Sequence, residues 1–412
     1  MPRNALEVAV LIILIEALVI TFILRNRQSK STSCLFVAGI AFQLLLLFLY
    51  RAELSMIGRE VYWSDAEYYW NYTLAFLDGR VGGVAYNIGY VYYCVALMLT
   101  SFSRNPVLIN LSNLLLLDLS ILILVSISQR EPVKDSGKNL FIILTMFNPL
   151  IAYSLFRNLK DVVFLFLSVL TIFLFSSIRD MRTKVVFRIL LSAVATFFMS
   201  VIITTIRPWG FIIPITFLPL LLLEFPIRKS LLFFLVFLSV LFGLLLAFGR
   251  YSNTLNLWVP IVLENSKDYS LSSTPGGLIA AAAKMLVGPG PVRSALGSEY
   301  FWYSTRTGNF ASFVGSLIWW VSFPFLITVF LFGKSQLASF KFIMFLILEI
   351  LAIYSMAYGG SAELRFRGVL YTLLSSVLLF KANISVDEFY RRIPIYSLLL
   401  LAIVGGGIIF GL

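Results

Sequence analysis

The sequence predicts an all-α polytopic membrane protein of about twelve transmembrane helices, with further juxtamembrane helices lying along its outer face. Two observations carry that prediction. Of the 412 residues, 60% are hydrophobic and 13% charged, about half the charged share of a soluble domain. Apolar runs near twenty residues recur along the whole chain, each long enough to cross roughly 30 Å of hydrocarbon. Length alone would suggest two or three globular units at about 150 residues each. The recurring runs instead make residues 1–412 a single transmembrane domain. A chain without histidine and with two cysteines, Cys34 and Cys94, has no Cys/His zinc set, no Ser-His-Asp triad and no disulfide framework. Its chemistry must rest on carboxylates, Arg, Lys, Tyr and Asn.

The spans are expected at 5–24, 34–50, 107–127, 139–156, 162–177, 187–206, 209–223, 231–250, 311–332, 342–358, 367–380 and 394–411. The first, Ala5 to Leu24, lacks the small-residue cleavage site of a signal peptide and is longer than its usual apolar region, so it is read as a helix. Short basic breaks separate many spans: Arg25/Arg27/Lys30, Arg130/Lys134/Lys138, Arg179/Arg182/Lys184/Arg188, Arg228/Lys229, Lys334/Lys341 and Lys381/Arg391/Arg392. They hold seventeen of the 32 basic residues, which assigns them to the cytoplasmic side. The net charge of +12 is therefore topological, and nucleic acid is not an expected partner. Val84 to Ser101 is apolar enough to span, but counting it would turn the breaks at 128–138 and 178–188 outward. It is read as an interfacial or re-entrant helix, with Tyr86, Tyr90, Tyr92 and Tyr93 suited to an aromatic belt.

With that parity the outer face receives a loop at 51–106, a turn at Arg157 to Asp161, Arg207, a loop at 251–310, and Glu363/Arg365/Arg367. In the first loop Ser64 can cap a helix starting at Asp65, with Tyr68, Tyr69, Tyr72 and Phe76 at helical spacing. Asp65 and Glu67 also fit as first-turn acids favoured by the helix dipole. Asn148 and Pro149 interrupt the next apolar run, and Arg157, Lys160 and Asp161 follow where it emerges. Two cations in a short outer turn run against the positive-inside bias and point to an anionic ligand, with Asp161 a second acid near Asp65, although Lys160 and Asp161 also fit as a local pair that caps the next helix. Arg207 ends one helix and Pro208 starts the next. Arg365 and Arg367 offer planar forks to phosphate oxygens, although headgroup snorkelling also suits such a pair.

The loop at 251–310 has an apolar middle, Leu278 to Arg293, and an aromatic stretch, Tyr300 to Tyr303, fit either for stacking on sugar rings or for the lipid interface. Its Gly-Pro alternation at 288–291 bars a continuous helix. Glu16, Asp118 and Glu349 are acids within the spans, with Asp118 expected to bond Ser112 or Asn113.

The stretch SDAEYYWNYTLAFLDG after an early span, followed by an aromatic amphipathic segment, resembles the first outer loop of the GT-C superfamily of polyprenyl-phosphate-sugar-dependent glycosyltransferases. Asn148-Pro149, Leu159-Lys160-Asp161, Arg207-Pro208, Gly288-Pro289 and Arg365-Phe366-Arg367 further resemble elements of its polysaccharide-biosynthesis branch. The resemblance implies an inverting transferase in the plasma (inner) membrane, acting on the extracytoplasmic side. Its partners would be a polyprenyl-phosphate-linked sugar donor, a glycan or lipid-linked acceptor, and membrane lipid. It implies Asp65 and Asp161 as the catalytic acids. Lys160, Arg157, Arg207, Glu363, Arg365 and Arg367 would form the substrate and lipid-phosphate site. Ala66 follows Asp65 where metal-dependent members carry a second carboxylate, so the resemblance calls for no cofactor and leaves a divalent metal open. A polysaccharide polymerase, which moves a whole glycan block, is a second enzyme reading. A lipid-glycan flippase is a third, and would want cations inside the bundle.

Overall fold

The computed structural model describes residues 29–62, 65–80, 87–128, 135–224, 275–288, 305–332, 339–358, 364–381 and 386–409, with single positions 235, 243, 290 and 291. Every element among the described residues is a helix. They are α1 (Lys30–Met56), α2 (Asp65–Leu77), α3 (Ile88–Ser101), α4 (Pro106–Ser128), α5 (Asp135–Met146), α6 (Pro149–Phe156), α7 (Asp161–Asp180) and α8 (Val185–Ile206). After these come α9 (Ile212–Leu222), α10 (Pro275–Val287), α11 (Arg306–Phe332), α12 (Ser339–Tyr358), α13 (Leu364–Ser375), α14 (Leu378–Lys381) and α15 (Val386–Ile409). Among the described residues, α1, α4, α7, α8, α11 and α12 are each long and apolar enough to cross a membrane. The outward side chains of α1 and α8 are apolar too, among them Phe48, Leu49, Phe187, Leu190 and Phe198, as lipid contact requires and water does not. The chain is a multi-pass helical membrane protein. The expected spans at 5–24 and, save two positions, 231–250 lie outside the described residues.

Three expected spans take a different form. The run at 139–156 is broken into α5 and α6, bent by 57°. Pro149 has no N–H to continue α5, and the Asn148 side chain caps α6 by accepting from the Leu150 N–H at 3.0 Å. The run at 209–223 yields α9, whose eleven residues begin only at Ile212 and extend roughly 16 Å at 1.5 Å per residue. The run at 367–380 is α13 and α14, interrupted by a turn at Ser376 and Val377.

Hydrogen bonds sort the helix ends into two sets. At one end Thr32 donates to Asn139 (2.7 Å), Arg188 donates to the Arg179 carbonyl (3.0 Å) and Lys341 pairs with Glu224. The described residues of the basic breaks gather here. At the other end Asn110 donates to the Phe156 carbonyl (3.0 Å), Glu53 accepts from the Thr307 N–H (2.9 Å), and Arg207 pairs with Asp161. The polar constellations gather there. Helix α3 does not traverse the bundle: Tyr93 bonds Ser112 (2.7 Å) in the first two turns of α4, and Tyr90 bonds Asn158 (2.8 Å). Its fourteen residues reach roughly 21 Å, short of a bilayer core. The expected aromatic belt is corrected in part, since Tyr90 is buried, Tyr92 is exposed and Tyr86 lies outside the described residues. Asp118 is buried, but Ser112 and Asn113 bond Tyr93 rather than Asp118.

Helix α6 sits at the centre, with all eight residues buried among α1, α4, α11 and α13. Small residues allow that approach. A Cβ on Gly315 of α11 would stand 2.3 Å from the Leu150 Cβ and 2.7 Å from its main-chain nitrogen. Gly315→Ala should therefore lower the thermal midpoint in detergent, by an overpacking cost of roughly 1–3 kcal/mol. Gly405→Ala, which meets nothing within 4 Å, should not. Equal midpoints for the two variants would disprove the tight α6–α11 contact.

Candidate functional site: a charged cluster at one end of the bundle

Asp65 opens α2, Asp161 opens α7, Arg365 lies in the first turn of α13, and Arg207 closes α8. These four residues, widely separated in sequence, meet with Lys160 at one place. Helix N-termini present unsatisfied N–H groups and a positive dipole end, so carboxylates at the start of α2 and α7 are favoured locally. Arg365 donates to the Asp65 carboxylate, and Arg207 to that of Asp161.

The two ion pairs have different surroundings. Arg207 and Asp161 are 3% and 0% exposed in their side chains. The Arg207 guanidinium is boxed by the rings of Phe366 (5.4 Å), Tyr354 (5.6 Å) and Phe164 (5.8 Å), which supplies cation–π attraction in place of water. The Asp65 side chain is 44% exposed and that of Arg365 is 15%. Only this second pair is open to a substrate, so the structure seats Asp161 beneath the surface while bringing it to the same cluster.

Lys160 is buried between the pairs. Its ammonium donates to the Tyr69 hydroxyl at 2.8 Å, and Tyr69 lies one helical turn after Asp65. Asn87 completes this contact. With its carboxamide turned so that both ends are satisfied, its oxygen accepts from Lys160 and, at 2.9 Å, from Tyr69, while its nitrogen donates to the Ile206 carbonyl at 2.9 Å. The Asn87 backbone is left-handed, φ 57° and ψ 49°, a conformation that Asn accepts more readily than most residues. Asn158 ties the parts together by donating to the Ala66 carbonyl (3.0 Å) and accepting from Tyr90 (2.8 Å).

Charge sets the protonation states. Burial by itself would raise the Asp65 pKa, but the charges of Arg365 and Lys160 and the Arg365 hydrogen bond carry it down to about 2. Burial, then the charges of Arg207 and Arg365, depress Lys160 to about 7 against the pull of Asp65 and Asp161. Burial and the neighbouring Asp65 charge push the Tyr69 phenol well up. With Lys160 protonated, three cations face two carboxylates, and the group favours one further negative charge.

The remaining expected site residues stand apart. Arg367 is fully buried on α13 and donates to the carbonyls of Gly288 and Lys284 (3.2 Å for Lys284). There it caps the C-terminal end of α10, where a cation complements the dipole. Arg157 packs over the Tyr153 ring at 4.9 Å, whereas Lys160 meets Tyr69. Glu363, Ser64 and the aromatic stretch 300–303 lie outside the described residues. Tyr69, Asn87, Asn158 and Phe366 are site residues that sequence reasoning missed; an Asn two residues before a Gly, in AYNIGY, was the one local signal for Asn87.

The donor set does not suit a metal. Asp65 and Asp161 are each engaged by a guanidinium, and no three of His, Cys, Asp and Glu converge among the described residues. No protein-family model, curated protein or solved structure matches this chain.

A lysine titrating near 10.5 when unfolded and about 7 when folded leaves the unfolded chain with more bound protons between those values. Stability should thus rise with pH across that window. Thermal melts of the wild type and Lys160→Met at pH 7 and 9.5 test this: the wild type should gain more stability than the variant. Parallel gains would show that Lys160 stays protonated in the fold.

Proposed function

We propose that the chain is a membrane glycosyltransferase that moves a sugar from a polyprenyl phosphate or diphosphate to a glycan or lipid-linked acceptor. The observation that carries this reading is the half-exposed Asp65 carboxylate held against Arg365, with Lys160 directly behind. A proton acceptor beside two phosphate-binding cations is what sugar transfer from a lipid phosphate requires. The resemblance of the 64–79 segment to a GT-C outer loop points the same way.

In this mechanism the donor phosphate lies on Arg365, with the buried Lys160 charge behind it. The acceptor oxygen forms a bond to the anomeric carbon while the carbon–oxygen bond to phosphate breaks, its electron pair leaving on the phosphate. Arg365 and Lys160 stabilise that charge. Asp65 takes the acceptor proton, which requires it within about 3 Å of that oxygen. At rest the salt bridge makes Asp65 a weak base. A phosphate competing for the Arg365 fork releases the carboxylate toward its ordinary pKa near 4, so donor binding and base strength rise together. Asp161 and Arg207 act as positioning residues, anchoring the ends of α7 and α8 beneath the reacting groups.

The distribution of basic residues supports a cytoplasmic location for the Lys30, Lys138 and Arg188 end, and with it a reading in which the site faces the extracytoplasmic side of the plasma membrane. Arg104 is more than half exposed near the site end. In intact cells, Arg104→Cys in a Cys34→Ser background should react with a membrane-impermeant maleimide. Labelling seen only after lysis would reverse the orientation.

The activity test uses purified protein in nanodiscs with a panel of undecaprenyl-phosphate sugars, reading released undecaprenyl phosphate. Asp65→Asn should lose about 10²–10⁴-fold in turnover while still melting cooperatively and binding undecaprenyl phosphate. Turnover retained in that variant removes Asp65 from the base role. Undiminished lipid-phosphate binding by Arg365→Gln removes the donor site.

A further inference from the structure

Four consecutive residues near the start of α13, Arg365-Phe366-Arg367-Gly368, meet four different parts of the molecule. Arg365 donates to the Asp65 carboxylate of α2. Phe366 lies against the Tyr354 ring of α12 at 4.6 Å and under the Arg207 guanidinium at 5.4 Å. Gly368 brings α13 onto α6, where a side chain in its place would collide with the Ser154 hydroxyl. Arg367 turns away from the charged cluster, because two steps along a helix rotate a side chain by roughly 200°. It is the one arginine of the pair that the site does not use.

What Arg367 reaches is the end of α10. A helix that ends within the bundle leaves its last carbonyls to be met by other groups. Here side chains of α11 and α13 meet them. Arg367 donates to the carbonyls of Gly288 and, at 3.2 Å, Lys284, and Tyr371, one turn further along α13, donates to Gly288 at 2.6 Å. Trp319 and Trp320 of α11 donate to Leu286 and Val287, both at 2.7 Å. The Trp319 and Tyr371 rings stack at 3.7 Å with 9° between their planes. Of these four donors, Arg367 and Tyr371 stand on the helix that carries Arg365. Helix ends fray, and Arg365 is the second residue of α13. A planar guanidinium bonded to two carbonyls fixes direction as well as position, so the first turn of α13 cannot rotate or unwind without breaking its bonds to α10.

We propose that Arg367 is a positioning residue for donor binding: by tying the first turn of α13 to the end of α10, it holds the Arg365 guanidinium at Asp65, where the donor phosphate competes for it. This rests on the reading of the Asp65–Arg365 pair as the donor site. Arg367 touches no donor atom and acts through Arg365. The seating of α10 on α13 thereby becomes a condition for the placement of the phosphate-binding fork.

The test is a double-mutant cycle on the full chain in phosphatidylcholine nanodiscs, titrated with undecaprenyl phosphate and read by native mass spectrometry, with amide exchange over 364–375 measured alongside. Arg367→Gln should bind the lipid several-fold more weakly than the wild type, and Arg367→Lys, which keeps the charge and a donor, should recover part of the loss. The double variant Arg365→Gln/Arg367→Gln should bind no more weakly than Arg365→Gln alone, because a residue that acts only through Arg365 has no effect once Arg365 is gone. Trp320→Phe removes one bond to α10 from α11 and leaves those from α13, so its affinity should match the wild type. Exchange should quicken in Arg367→Gln and not in Trp320→Phe. If Arg367→Gln does not fold, Tyr371→Phe takes its place in the cycle, with a loss in the same direction. Unchanged affinity in the Arg367 variant, additive losses in the double variant, or an equal loss in Trp320→Phe would each overturn the proposal and leave Arg367 as a helix cap. Undiminished binding by Arg365→Gln would instead sink the donor reading, and the hold on the first turn of α13 would then stand or fall on the exchange rates alone.

Discussion

The architecture depends on how the polar backbone released at the end of α6 is satisfied. A helix that stops inside a membrane protein leaves carbonyls without partners, and hydrocarbon offers none. Here Asn110 and Asn113 of α4 reach the carbonyls of Phe156 and Arg157, while Asn148 caps the start of the same helix and donates to the Gly315 carbonyl. With these bonds made, a fully buried eight-residue helix can end deep enough for the following turn to place Arg157, Lys160 and Asp161 at the inner margin of the bundle. The site hangs from that turn.

Concentrating charge there is costly, and the fold offsets the cost in two ways. Asp161 and Arg207 pay for burial with each other, with the N-terminal dipole of α7 and with three aromatic faces around the guanidinium. A buried pair of this kind gains little net stability, but losing one partner strands a charge. Asp65 and Arg365 instead remain partly hydrated, so the pair can open when another anion competes. The cluster is thus rigid underneath and exchangeable on top, the arrangement expected of a site that must hold its frame while a charged ligand enters.

Much of the fold was legible from local pattern. The runs at 107–127, 162–177 and 187–206 correspond closely to α4, α7 and α8, because a continuous apolar run in a membrane protein has one economical conformation. Within 84–101, α3 lies against the start of α4 and the 157–160 turn through Tyr93 and Tyr90. Less legible were the interruptions. Asn148-Pro149 marks a break in the sequence, but its 57° bend depends on what packs around α6, and the turn at Ser376 and Val377 has no proline or glycine to announce it.

Residue types and spacing alone determined that the chain is helical and membrane-embedded, that basic residues divide its two ends, and that Asp65, Lys160, Asp161, Arg207 and Arg365 belong to one face. Hydropathy and charge are local properties, and membrane insertion reads them locally. Tertiary structure alone decided which of these residues touch. It joined Asp65 to Arg365 across 300 positions, buried Asp161 under Arg207, turned Arg367 onto the end of α10 and set Arg157 over the Tyr153 ring. A side chain's partner is set by which helices pack beside it and by which backbone groups they leave unsatisfied, and neither is written in the spacing of one segment.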